Sequence, residues 1–101
     1  MKFDVNTVLK NLNGEVLKDS DGKGNVIEAT VKLAIVNALL APTQKQENGV
    51  EKMKKWELAK KVYGGGQVDL NEQEITLIKD CVAIAYPSAQ IVGLIWDFLK
   101  V

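Results

Sequence analysis

Asp19, Asp21, Lys23, Gly24 and Asn25 are spaced like the opening of a calcium-binding loop, with the glycine at its sixth position. Lys23 occupies the fifth position and Thr30 the twelfth, where that loop needs an oxygen ligand and a bidentate glutamate. A cation standing where a ligand oxygen belongs repels the metal, so the run reads as a polar hairpin turn. Gly64, Gly65 and Gly66 invite a phosphate-cradle reading. A phosphate loop follows a strand and continues into Lys-Ser/Thr, whereas here a helical pattern precedes and Gln67-Val68-Asp69 follows. The glycines read as a helix stop, with the left-handed conformation at the first position past the last turn. Cys81 is the one thiol, and it lies mid-helix beside Asp80. The chain has no histidine to take its proton, and a neighbouring acid raises a thiol pKa. A buried structural thiol is the expectation. The carboxylate pairs Glu72 with Glu74 and Asp19 with Asp21 have capping and turn roles, and no cleft is expected between them. No catalytic, metal-ligating or cofactor-binding residue emerges.

All thirteen basic residues are lysine, since arginine is absent, and they balance thirteen acids. A chain of zero net charge has no long-range field to steer it to nucleic acid or to an anionic membrane. The one local basic surplus runs from Lys45 to Lys61, where six lysines face three glutamates. Lys52, Lys54, Lys55, Lys60 and Lys61, with Trp56 and Tyr63 beside them, are the candidate nucleic-acid surface. Without arginine that surface lacks bidentate phosphate and guanine readers, and a solvated helix face is the plainer reading. One cysteine forms no internal disulfide, which suits a reducing cytoplasm. Residues 1–6 show no basic-then-apolar run, so no secretory signal is expected there. The longest apolar stretch, 31–41, is interrupted by Lys32 and Asn37 and falls well short of the roughly 20 residues that span a bilayer.

The elements that carry these residues read as β first and helical afterwards. Asn13-Gly14 between apolar positions predicts a hairpin with a type I′ turn, and a second turn follows at 21–25. Strands are expected at about 2–12, 15–18 and 25–28. From residue 30 the pattern changes to a central helix, apolar on nearly all sides and ended by Pro42. A polar loop at 43–48 leads to a helix over 49–63, with Val50, Met53, Trp56, Ala59, Val62 and Tyr63 on its inward stripe. A third helix starts with a capping box (Asn71 with Glu74) and a staple (Leu70 on Ile75). Asp69 with Glu72 is an overlapping alternative. Ile75, Ile78, Val82 and Ala85 face inward, widened by Leu77, Cys81 and Ile84, until Pro87 breaks the helix.

The last helix, about 88–99, is predicted to be capped by Ser88. Gln90, Gly93, Asp97 and Lys100 form one narrow polar stripe. The remainder is apolar. Either this helix threads the domain or one apolar side meets another protein. Leu94, Ile95, Trp96, Phe98 and Leu99, with Trp56, are therefore the candidate interface, since a large exposed aromatic is a natural anchor.

The runs Val36-Asn37-Ala38-Leu39-Leu40, Glu51-Lys52-Met53-Lys54-Lys55-Trp56 and Val68-Asp69-Leu70-Asn71-Glu72-Gln73-Glu74, with Tyr86-Pro87 and Gly93-Leu94-Ile95-Trp96, resemble small uncharacterised proteins of tailed bacteriophages and prophages. The resemblance implies a phage origin and a host-cytoplasm setting, and it carries over no catalytic residue. The expected architecture is one α+β domain over 1–101, with a β-hairpin or small meander in 1–28 and a four-helix cluster in 29–101. The expected function is non-enzymatic protein binding, to itself, a host target or a virion partner, without cofactor or membrane. The alternative is nucleic-acid binding through the lysine-bearing helix 50–63.

Overall fold

Asn11 builds the first turn. Its side-chain oxygen accepts from the backbone N–H of Asn13 at 2.9 Å and of Glu15 at 3.0 Å. Its own N–H donates to the Glu15 carbonyl, and Gly14 N–H donates back to the Asn11 carbonyl. Gly14 stands at φ +85°, while no described non-glycine residue has positive φ. This is a three-residue loop with glycine in the left-handed position, not the expected type I′ turn, which needs positive φ at both central residues.

The computed structural model describes residues 1–20, 23–42 and 46–100. Asp21 of the calcium-like run, its pairing with Asp19, the first half of the 43–48 loop, and Lys45 lie outside the described residues.

The β region is more broken than the periodicity predicts. The expected long first strand reduces to β1 (Lys2–Asp4) and the isolated bridges Val8 to Thr30 and Lys10 to Val16. β2 (Lys18–Ser20) and β3 (Val26–Glu28) form an antiparallel hairpin with Asp19 opposite Ile27. Three backbone bonds of 2.8 Å close a triangle: Leu9 N–H to Ala29 O, Ala29 N–H to Leu17 O, and Leu17 N–H to Leu9 O. Leu9 and Ala29 are thereby buried with Leu17 packed against them. β1 pairs with none of its sequence neighbours. It runs antiparallel to β4 (Gln67–Asp69), placing Phe3 opposite Val68. The strand at 67–69 was not expected.

Thr30 caps α1 (Val31–Leu40) by accepting from Leu33 N–H, and the helix ends at an extended Ala41 before Pro42. Asn48 caps α2 (Gly49–Tyr63) through the Glu51 N–H. The three glycines after it do not adopt the expected left-handed stop. Gly64 has φ −78° and closes the helix by donating to the Lys60 carbonyl. A side chain at Gly66 would crowd Asn6 Nδ2 at 3.2 Å, next to the bond from Val5 N–H to the Gly66 carbonyl. The contact is with a side-chain amide, and Gly66 does not have positive φ. α3 (Glu72–Ala85) starts with the full capping box: Asn71 accepts from Glu74 N–H at 2.8 Å and Glu74 accepts from Asn71 N–H at 3.0 Å. The Asp69 alternative is not used; Asp69 instead accepts from the Met1 amine at 2.7 Å. Ser88 caps α4 (Ala89–Phe98).

The protein is α+β, with four helices and two small antiparallel sheets among the described residues. α1 is the central element, packed against α2, α3 and α4. Its alanines let neighbours come close, and Val31, Ile35, Val36 and Leu39 fill the interior with Ile78, Val82 and Leu70. Each such Leu, Ile or Val contributes about 1.5–3 kcal/mol by leaving water. α4 is peripheral. It packs on α3 and on α1, so the last helix does not thread the domain as the first one does. Ile84, expected inside, is exposed on α3.

Candidate functional site

Ile95 and Leu99 are fully buried and belong to the core, so they form no outer surface. Leu94 and Phe98 are half-buried, and Phe98 packs its ring against Phe3 with centroids 5.6 Å apart. Trp96 is 41% exposed. Its indole N–H donates to the Lys79 carbonyl at 3.2 Å, and the Lys79 ammonium lies 5.5 Å above its ring. Of the expected α4 interface, Trp96 and the edges of Leu94 and Phe98 reach solvent. Leu94 also lines a shallow 410 Å³ depression shared with Leu12 of the first turn.

α2 corrects the expectation further. The side it buries is Leu58, Ala59 and Val62, with Lys55 beside them. Val50, Met53, Trp56 and Tyr63, expected on the inward stripe, are all exposed, Trp56 at 48%. Two stripes compete on this helix and share Ala59 and Val62. The choice is made by Leu58 and by Lys55, which turns inward because Glu47 neutralises it.

The five candidate lysines do not act together. Lys55 meets both carboxylate oxygens of Glu47 at 2.8 Å, and each side chain is only 12% exposed. Lys60 pairs with Glu57 at 3.2 Å and lies 5.8 Å above the Trp56 ring. Lys61 donates to both oxygens of Glu74 at 3.1 Å, tying the last turn of α2 to the cap of α3. Lys52 and Lys54 are exposed, and no described acidic group lies within ion-pairing distance of either. Lys45 lies outside the described residues.

Burial works against the Lys55 charge, but the hydrogen bond and charge of Glu47 outweigh it and hold the ammonium above the usual lysine pKa. The Cys81 thiol lies within electrostatic range of this pair. Burial pushes its pKa up, Lys55 pulls it down, and Glu47 and Asp80 push it up again. The thiol therefore stays protonated, which makes it a poor nucleophile.

Beside the exposed side of α2 runs an open groove of about 860 Å³. Leu58 and Leu77 form its floor, Val50 and Met53 its α2 wall, and Asn71 and Gln73 its α3 edge. The Lys61–Glu74 pair links the two helices beside it. Of the groove's apolar residues, Val50 and Met53 were expected on the inward stripe of α2 and Leu77 on the widened stripe of α3, and none was expected to line a groove. Leu58, which belonged to no expected stripe, is 4% exposed at the groove, and Leu77 is half-buried there. Among the described residues no cluster of three or more acidic or thiol groups is placed to hold a metal ion. No described helix is long and apolar enough to cross a membrane. No protein family, curated protein or solved structure matches this chain.

Proposed function

We propose that the protein acts by binding another protein through the outer face of α2 and the groove beside it, without catalysis of its own. One observation carries this reading: Val50, Met53, Trp56 and Tyr63 all stand exposed on a single helix of a small domain. Clustered exposed apolar side chains of this size mark interaction sites far more than scattered ones do. Trp56 in their midst is the residue type that dominates binding energy when it is covered. The interface thus moves from α4, where the sequence directed attention, to α2. On the resemblance to phage proteins, the partner is a host or virion protein met in the host cytoplasm.

The nucleic-acid reading keeps Lys52 and Lys54 beside Trp56. It is the weaker one, because Lys55, Lys60 and Lys61 are each held by a carboxylate. It requires retention on DNA or RNA at low salt that falls steeply as salt rises.

Site-specific photo-crosslinking tests the protein-binding reading. A photoreactive residue replaces Met53 in one variant and Val26, an exposed strand residue, in another. A discrete crosslinked protein from position 53 and none from position 26 is expected. Equal crosslinking from both positions, or none from position 53, refutes the reading.

A further inference from the structure

Asparagine is followed by glycine at two places in the chain, Asn13-Gly14 and Asn48-Gly49. Such a pair is prone to spontaneous deamidation, because glycine puts no side chain in the way of its own backbone nitrogen. That nitrogen loses its proton, attacks the carbonyl carbon of the asparagine side chain and expels ammonia. The cyclic imide that results takes up water. Opening at one carbonyl leaves aspartate; opening at the other leaves isoaspartate, in which the main chain runs through the former side chain. Water is the only co-reactant.

The fold treats the two pairs differently. Asn48 caps α2: its side-chain oxygen accepts from Glu51 N–H at 2.8 Å, and its carbonyl accepts from Lys52 N–H at 3.1 Å. Attack by the Gly49 nitrogen requires that side chain to leave the cap and turn back on its own main chain. Glu47, just before it, is fixed to Lys55 at 2.8 Å. Asn13 carries no such restraint. It is exposed, and its side chain bonds to no described residue. The turn is held by Asn11, which accepts from Asn13 N–H and Glu15 N–H on its side chain and from Gly14 N–H on its carbonyl. Only the Gly14 bond, 3.0 Å long, stands in the way of the reaction. Residues 12–15 are all exposed, and beyond its chain neighbours no atom lies within 4 Å of where a Gly14 side chain would begin. An exposed turn opens locally more readily than a helix held by its cap.

We propose that Asn13 is a site of spontaneous deamidation, and that its role as the α2 cap protects Asn48 from the same reaction. The product adds a carboxylate to a chain of zero net charge, on the turn beside the depression that Lys10, Leu12 and Asp97 line. Isoaspartate also lengthens the main chain between residues 13 and 14, which breaks the bonds from Gly14 and Glu15 to Asn11. This modification is independent of the protein-binding reading.

The test ages the full chain, folded, in mildly alkaline buffer, where a backbone nitrogen loses its proton more readily. Trypsin then cuts after Lys10, Lys18, Lys45 and Lys52, which puts the two pairs on separate peptides, 11–18 and 46–52. Mass spectrometry reads the amide-to-acid mass gain in each, and fragmentation of the main chain tells isoaspartate from aspartate. Peptide 11–18 is expected to convert about fivefold faster or more than 46–52, the factor by which a helix cap restrains its residue. In concentrated urea, where no cap exists, the difference is expected to vanish. Conversion of 46–52 as fast as 11–18 in the folded protein overturns the proposal. So does a folded protein in which 11–18 stays intact while the urea sample converts. A preference for 11–18 that persists in urea overturns it as well, since neighbouring residues rather than the fold would then set the rates.

Discussion

Glu47→Gln asks whether the Lys55–Glu47 pair belongs to the interior. The substitution keeps the shape and one acceptor oxygen and removes the charge. Two unit charges 2.8 Å apart attract by about 6 kcal/mol at an effective dielectric constant near 20. Desolvation of both groups offsets most of that attraction. The cost of the variant comes from the asymmetry that remains: Lys55, 12% exposed, keeps its desolvation penalty and loses the countercharge. Breaking a fully buried pair costs about 3–5 kcal/mol, while exposed pairs contribute about 0.2–1 kcal/mol. The slight exposure and the surviving acceptor of glutamine bring the expected loss to about 2 kcal/mol. In a domain of this size that lowers Tm by roughly 8–16 °C. Urea denaturation followed by tryptophan fluorescence measures the loss directly, with the slope expected to stay constant. The double variant Glu47→Leu with Lys55→Met is expected to recover most of it, because apolar side chains of similar volume carry no desolvation cost. Cys81 gives an independent readout by thiolate absorbance. Glu47 raises its pKa and Lys55 lowers it, so Glu47→Gln moves the thiol down and Lys55→Met moves it up. A loss below about 0.5 kcal/mol, or a double variant no better than the singles, refutes the reasoning.

The same pair sets an alkaline limit on stability. The folded-state pKa of Lys55 is raised above its ordinary 10.5, so its contribution is complete below that value and is lost as pH rises through the folded pKa. Urea midpoints of the wild type are expected to fall more steeply above about pH 10.5 than those of Lys55→Met. Asn71→Ala removes one side of the α3 capping box and is expected to cost about 1 kcal/mol, with Asn71→Asp retaining most of it; chemical denaturation of the three proteins decides. Ile95→Ala is expected to cost about 3 kcal/mol, as a buried aliphatic deletion does. Trp96→Ala is expected to cost nearer 1 kcal/mol, for one backbone-directed hydrogen bond and partial burial. The reverse order would place Ile95 outside the core.

Local signals located the helices because they act within one turn. Asn71 and Glu74 satisfy each other's N–H groups three residues apart, so the pattern in the chain is the mechanism itself. Pro42 stops α1 by the same kind of local restriction. β4 left no such trace. Gln67-Val68-Asp69 is too short for an alternating pattern, and its partner β1 lies more than sixty residues away. The type I′ expectation failed at Asn11. That side chain supplies the turn's acceptor from two residues before Asn13, and leaves positive φ to Gly14 alone. On α2, periodicity had two stripes to choose from. The decision rested on Glu47, which makes a partly buried lysine tolerable from outside the helix.

The exposed apolar surface therefore depends on the number of neighbours a helix has, more than on its own composition. α4 is the more apolar helix, yet its ten residues lie against α3 and α1, with Phe3 covering Phe98. Its sides are divided among several contacts, and Trp96 alone of its large side chains stays exposed. α2 is half as long again and rich in lysine, but it reaches the core along one narrow stripe. Its remaining sides face water, and there Val50, Met53 and Trp56 stand among charges that keep them soluble.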